Sequence, residues 1–429
     1  MVQSPEGIIE AEVTQLGHSG DGVVEVDGRK YFVAYAAPGD RLQIKFNPGD
    51  KDRAAIVQIL KPGDARVTAP CRHFTECGGC ALQHLSDLFV ADWKREQIID
   101  ALAHRGLHDV TVRPTQTMPP ASRRRAAFTA EHGADGIQIG FHARMSKRLV
   151  PVSECTVLDK NIVQALPGLE KMLAPLLRHG QSVRLLVTQT GTGLDVDVQF
   201  GSGQKAEPNL RLRTLLAASA DRLDLARLSW NGVILLERRK PQIVMGGTPV
   251  SPPPGAFLQA SSQGEAALIA LVLEALGTKT LGAKGARILD LFAGCGTFTF
   301  PVASHARVHA VEGDRAMTEA IRQAANQRQG LKQIEASHRD LQRGPLSIEE
   351  LKPYAAVIFD PPKAGARAQA DQIAASQIHK VIAVSCAPAT FARDARSLVD
   401  GGFLLRWVAP ADQFRWSAEV ELVALFERA

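Results

Sequence analysis

The feature that most constrains this chain is a change of pattern after about residue 256, where short apolar runs alternate with helical stretches. The runs are Arg287-Ile-Leu-Asp-Leu-Phe, Val308-His-Ala-Val-Glu, Ala355-Ala-Val-Ile-Phe-Asp and Val381-Ile-Ala-Val-Ser, with the helical segment Arg315 to Arg328 between two of them. Strands alternating with helices predict an α/β domain over residues 256–429, built on a mostly parallel sheet whose ligands sit at the carboxyl ends of the strands.

The rest of the chain follows other rules. Residues 8 to 60 hold five short strand candidates separated by turn signals, of which Asp27-Gly28 is the strongest two-residue hairpin signal. Five strands in so short a span predict a small closed β-barrel over residues 1–65, because an isolated sheet would leave its edges open. A generic β-appendage and an oligonucleotide-binding module fit that barrel equally. Residues 66–255 read as a central α+β region. Its stretch from Leu82 to His104 carries Leu85, Leu88, Phe89, Trp93 and Ile98 at helical spacing, a stripe expected in the core, and strand runs such as Val183-Arg-Leu-Leu-Val-Thr follow. Three parts suit 429 residues at roughly 150 residues per domain.

Composition narrows the class of function. With 45% hydrophobic and 22% charged residues the chain is globular, which excludes global disorder. The opening Met1-Val-Gln-Ser-Pro-Glu lacks a basic stretch followed by an apolar run, and no run of about 18 apolar residues occurs. Secretion and membrane spanning are disfavoured, and a cytoplasmic protein is expected. The net charge of +5 is mild but agrees with a polyanionic partner. Arg123-Arg-Arg125, Arg144 to Arg148 and Arg238-Arg-Lys240 are expected phosphate contacts, weakened by salt.

Three motifs carry chemistry. Asp290-Leu-Phe-Ala-Gly-Cys-Gly-Thr-Phe follows a buried strand, so Gly294 and Gly296 form a tight turn that lets backbone approach a nucleotide-like ligand. Glu312 ends the next strand, where an acid accepts hydrogen bonds from ribose hydroxyls. The missing third glycine argues against NAD and for another adenosine cofactor. Asp360-Pro-Pro-Lys363 resembles the substrate loop of nucleic-acid methyltransferases, yet Lys363 offers no π-face to stack on a base, which disfavours methylation of exocyclic amines. Cys386 stands at the carboxyl end of the next strand, where a nucleophile belongs. Carbon 5 of a pyrimidine is too weak a nucleophile to attack a methyl donor, but thiolate addition at carbon 6 makes an enolate that attacks. A base must then remove the carbon 5 proton. Glu421 is the candidate: Val420, Leu422 and Ala424 alternate as an inward face and leave Glu421, with Glu419, on a polar face.

Of the six cysteines, Cys71, Cys77, Cys80 and Cys155 are positioned to meet at one centre, whereas Cys295 and Cys386 lie far away in turns. Four thiolates suit zinc or a [4Fe-4S] cluster. Zinc sites usually pair two Cys-x-x-Cys knuckles and only one is present, which tilts the reading to the cluster and leaves zinc open.

Taken together these segments resemble the S-adenosylmethionine-dependent RNA uracil-5 methyltransferases, and within them the 23S ribosomal RNA branch with a TRAM domain and a [4Fe-4S] cluster. Over nearly the whole chain the resemblance implies an OB-like TRAM barrel at residues 8 to 62, a cluster held by Cys71, Cys77, Cys80 and Cys155, and a Rossmann-like class I methyltransferase domain. It further implies that Gln259, Phe292, Thr297, Glu312 and Asp340 line the S-adenosylmethionine pocket, that Asp360 lies near donor and base, and that Cys386 and Glu421 are nucleophile and base. Three positions depart from the family pattern: Ala387 replaces Asn, Glu419 replaces His and Ser261 replaces Asn. The expected function is methylation of carbon 5 of a uridine in RNA, 23S ribosomal RNA before transfer RNA, with no membrane and no obligate protein partner. Two rivals are a non-catalytic RNA-binding iron-sulfur protein of the same fold and a DNA cytosine-5 methyltransferase. The latter usually carries its nucleophile after proline, the reverse of Cys386-Ala-Pro388.

Overall fold

The computed structural model describes residues 7–46, 52–201 and 208–428; the opening hexapeptide, read above for a leader, lies outside them. The first five strands close into a barrel in the order Ile8–Leu16, Gly22–Val26, Arg29–Val33, Arg53–Lys61, Arg41–Phe46. The Asp27-Gly28 turn forms as expected: Val26 pairs with Arg29, and both turn residues have positive φ, 51° and 75°, which matches the twist of the flanking strands. Val13, Val24, Val33, Leu42 and Ile44 fill the barrel. Buried Asp40 ties it to the following segment by accepting from the backbone N–H of Ala37 (2.7 Å) and Gly63 (2.9 Å) and pairing with Arg66.

A helix then runs Asp87–Ala103, later than the apolar stripe from Leu82 predicts, because the Ser86 hydroxyl accepts from Phe89 N–H and sets the start. Leu88 is not core but 75% exposed, while the buried face carries Ile98 and Leu102 together with Lys94. This helix belongs spatially with the carboxyl-terminal part, packing on the helix Pro388–Asp400. The short strand Gln116–Thr117 likewise joins the carboxyl-terminal sheet, in parallel beside Ala411 and Asp412. The middle of the chain is a seven-stranded, largely antiparallel sheet centred on Ser182–Thr190, with the helices Lys160–Leu173 and Leu210–Arg222 packed against its core.

The carboxyl-terminal sheet has eight strands. Five are parallel, in the order Ile334–His338, Arg307–Glu312, Arg287–Leu291, Ala356–Phe359, Lys380–Ser385. The strand order reverses between Arg287–Leu291 and Ala356–Phe359, which opens a crevice at their carboxyl ends where ligands bind in sheets of this kind. Beyond Lys380–Ser385 the sheet continues antiparallel with Glu421–Glu427 and then Leu404–Asp412. Since Glu421–Glu427 lies between two strands and under helices, Leu422 to Phe426 are all buried, with no polar face.

Candidate active site

The turn after Leu291 is wound in the left-handed region at Phe292 (φ 60°), Gly294 (58°) and Gly296 (99°). Glycine is required at 296, where a Cβ would come within 2.5 Å of the Phe300 ring. For Phe292 the same region costs strain of order 1–3 kcal/mol, a cost that persists chiefly at functional sites. The turn presents its backbone to the next strand end: Gly294 N–H donates to Glu312 Oε2 and Asp314 N–H to Oε1, both at 2.8 Å. The carboxylate of Glu312 is thus aimed before any ligand arrives, with its remaining lone pairs open to hydroxyl groups. Burial pushes its carboxyl above the usual range, and those N–H groups oppose the push. Beneath the turn, Asp290 accepts the Thr299 hydroxyl at 2.5 Å, and complete burial pushes it up to about 7. Thr297 lies half-buried in the turn, and Asp340 is exposed just past the neighbouring strand end, accepting from Gln342 N–H at 3.1 Å. Phe292, Thr297, Glu312 and Asp340 therefore gather at three adjacent strand ends, as a nucleoside site requires.

Across the crevice stand two acids bridged by two amides. Gln259, 2% exposed, donates from Nε2 to Asp360 Oδ2 at 3.2 Å. Gln413 donates from Nε2 to Gln259 Oε1 at 2.6 Å and to Glu421 Oε2 at 2.9 Å. Burial pushes Glu421 up to about 7 against the pull of the Gln413 hydrogen bond, with Glu419 adding to the rise. Asp360 is pushed well above its ordinary range by burial and by Glu421. Cys386, just past Ser385, has its thiol pushed up to about 12 by burial and by Glu421 and Asp360, while Lys363 opposes them. At rest it is a thiol. Glu421, expected on a polar face beside Glu419, is instead buried; Glu419 alone reaches solvent, where it pairs with Lys363 at 2.6 Å. The departure at 261 also has a local reason, since the Ser261 hydroxyl caps the helix Ser262–Leu281 by accepting from Gly264 N–H at 3.0 Å.

The four cysteines Cys71, Cys77, Cys80 and Cys155 line one cavity of about 410 Å³, which extends to Cys386, Lys363 and Glu419. Among the described residues no three cysteine, histidine or acidic side chains stand close enough to hold a metal ion. The four thiols thus share one cavity but are not gathered on a point, and the expected four-thiolate centre, cluster or zinc, is not shown by their arrangement. Arg123 lies beside Cys80 and Cys155. The segment is docked on the catalytic side: Ala81 and Leu82 N–H both donate to the Trp416 carbonyl, at 2.8 and 3.0 Å.

The basic runs are mostly not free for phosphates. Arg124 is buried and paired with Glu265 at 2.7 Å, Arg238 and Arg239 are paired with Asp224, and Arg144 with Asp21. A run of arginines records charge but not the acids that the fold brings to it. Sequence reasoning also missed Gln413 and the Lys363 to Glu419 pair; the paired departure at 419 beside a lysine in the substrate loop was the available signal for the latter.

A parallel sheet with a glycine turn, an aimed acid on the second strand and a crevice at the switch point defines an α/β methyltransferase fold, and a solved relative bears this out. Over 97% of this chain and 99% of its own, the fold matches that of the tRNA (uracil-54, C5)-methyltransferase of Pyrococcus abyssi, solved with S-adenosyl-L-homocysteine, at a TM-score of 0.75 and 22% identity. No family model matches the sequence. An uncharacterized RNA methyltransferase of Caulobacter vibrioides is 41% identical, covering 97% of this chain and 99% of the relative. The 23S rRNA (uracil(1939)-C(5))-methyltransferase of Halomonas elongata is 32% identical, covering 98% and 90%. The chain belongs to the RNA methyltransferase family. Among the described residues no helix is long and apolar enough to cross a membrane.

Proposed function

We propose that this protein methylates carbon 5 of a uridine in RNA, 23S ribosomal RNA in preference to transfer RNA, through a covalent adduct on Cys386. The observation that carries the reading is the meeting of Cys386, Asp360 and buried Glu421 at neighbouring strand ends, with lysine rather than an aromatic residue after the two prolines. S-adenosylmethionine, when bound, supplies the methyl group. Gln259, Phe292, Thr297, Glu312 and Asp340 are the residues to hold it, Glu312 by its oriented carboxylate. Cys386 loses its proton to water as its sulfur bonds to carbon 6, and the electron pair of the ring's double bond makes carbon 5 the nucleophile. Glu421 then takes the carbon 5 proton, and the pair left behind expels the sulfur. Asp360 holds Gln259 in place at the junction of donor and base.

The 32% identical relative that acts on 23S rRNA supports the choice of ribosomal RNA. The barrel is the TRAM module of this reading and contributes RNA affinity. The four-thiol cavity is the seat of a [4Fe-4S] cluster that positions RNA or braces the fold; the chemistry above needs no electron transfer. The test is labelled methyl transfer to unmodified transcripts of 23S ribosomal RNA and of transfer RNA, followed by nucleoside mapping. One 5-methyluridine in the ribosomal transcript is expected. Label in the transfer RNA alone would reassign the substrate, and label on a ring or exocyclic nitrogen would overturn the reaction.

A further inference from the structure

We propose that Gln413 is the positioning residue that aims the base, fixing the Glu421 carboxyl and the donor-side Gln259 with one and the same amide nitrogen. The proposal rests on the uracil-5 reading above. Either end of a glutamine amide can be placed toward a given neighbour, so its sense must come from its partners. Here the backbone decides: Ala260 N–H donates to Gln413 Oε1 at 2.9 Å, so the nitrogen faces the other way and gives its two hydrogens to Glu421 Oε2 and Gln259 Oε1. With its oxygen taken, Gln259 turns its own nitrogen to Asp360. One backbone N–H thus sets the sense of two amides and presents a donor to each of two acids.

Gln413 has no room to swing. It is 5% exposed, and a Cβ at Gly264 would come within 2.7 Å of its own Cβ. Its loop is pinned on both sides, by the buried pair of Lys94 with Asp412 at 2.6 Å and by the Trp416 carbonyl. Among the described residues the Gln413 amide is the one hydrogen-bond donor to the Glu421 carboxyl. That hydrogen bond fixes Oε2, so that Oε1 is the oxygen left with no donor on it. The charged and titratable groups around Glu421 are Asp360 and Cys386 on neighbouring strand ends, Glu419 on its own approach and Lys363, which Glu419 holds. Loss of the amide removes the interaction that favours the ionised base.

Gln413→Met keeps the length and removes both donors. It is compared with wild type on transcripts of 23S ribosomal RNA and transfer RNA, each made with uridine or with 5-fluorouridine. Fluorinated RNA has no proton to lose at carbon 5, so at saturating S-adenosylmethionine, where a loosened Gln259 shows only in the donor KM, both proteins should stall as a denaturant-stable adduct at equal rates. On ordinary RNA the variant should release product about 10- to 100-fold more slowly, a part of what a general base supplies. It should also accumulate methylated adduct, with the acid limb of its pH profile moved to higher pH. Unchanged turnover and pH profile would overturn the proposal. So would an equal slowing of adduct formation on fluorinated RNA, which marks a merely structural role. Gln413→Asn, which keeps the amide but retracts it, should show the same split and decides the matter if the Met variant does not fold. If wild type traps neither fluorinated RNA, the uracil-5 reading itself fails and this proposal with it.

Discussion

At one end of the cleft two acids are each held by a glutamine amide, so that Asp360 and Glu421 sit oriented in a buried wall. At the other end four thiols, each half-buried and on irregular segments, line one cavity. The acid wall is set by folding alone, whereas the thiol pocket, on the cluster proposed above, is completed by a group that it binds. A preorganised wall suits proton transfer, where small displacements are costly; a pocket closed from outside suits bracing. Substitutions in the two regions should therefore fail in different ways.

The largest effect is expected at the junction of the two regions. Cys386→Ala should yield neither methylated RNA nor adduct, with donor binding and melting temperature near those of wild type. Glu421→Gln should slow turnover about 10²- to 10⁴-fold and trap methylated RNA on the enzyme in denaturing gels, a failure confined to the acid wall. If Glu419→Gln traps RNA while Glu421→Gln turns over normally, the base has been misassigned. In the thiol pocket, changing any one of Cys71, Cys77, Cys80 or Cys155 to Ser should bleach the visible absorption of anaerobically purified protein and weaken RNA binding, with donor affinity kept. Stoichiometric zinc without iron would break the comparison. A smaller effect is expected from pH. Glu421 and Asp290 bind protons up to about pH 7 when folded but only to roughly pH 4 when unfolded. The folded state thus holds the extra protons between those limits, and stability should fall as pH rises from about 4 through 7. Chemical denaturation across that range checks this, and Glu421→Gln should flatten the fall. The smallest effect is expected from Lys363→Ala, since the exposed pair it breaks contributes less than about 1 kcal/mol.

The sequence made the two regions unequally legible. Period and turn chemistry are local, so the barrel's Asp27-Gly28 turn, the strand after Arg287 and the helix of Arg315–Gln327 could be read directly. The glycine turn with Glu312 was legible for the same reason, as strand-end positions follow from strand assignment. Glu421, the expected base, was placed on a polar face by the alternation, which presumes one solvated side, whereas its strand is covered on both. The amide chain through Gln413 was not legible, since it depends on loops brought together across 154 residues. Lys94 was hidden for a similar reason: a lysine inside an apolar stripe gives no sign of the acid, far along the chain, that will meet it.

Arg124 and the segment Gln259 to Ala260 are joined by two hydrogen bonds, from Arg124 Nε to the Gln259 carbonyl at 3.0 Å and from Arg124 N–H to the Ala260 carbonyl at 2.9 Å. The chain thus departs into the middle sheet beside the place where it comes back, next to a residue of the acid wall, with the hairpin of Ile243–Met245 and Thr248–Val250 packed on the carboxyl-terminal part on the way. A segment whose two ends coincide is topologically an insertion, and such segments exchange, grow or shrink at little cost to the body that carries them. The middle sheet can therefore change in size as a cassette while the neck at Arg124 keeps Gln259 in register.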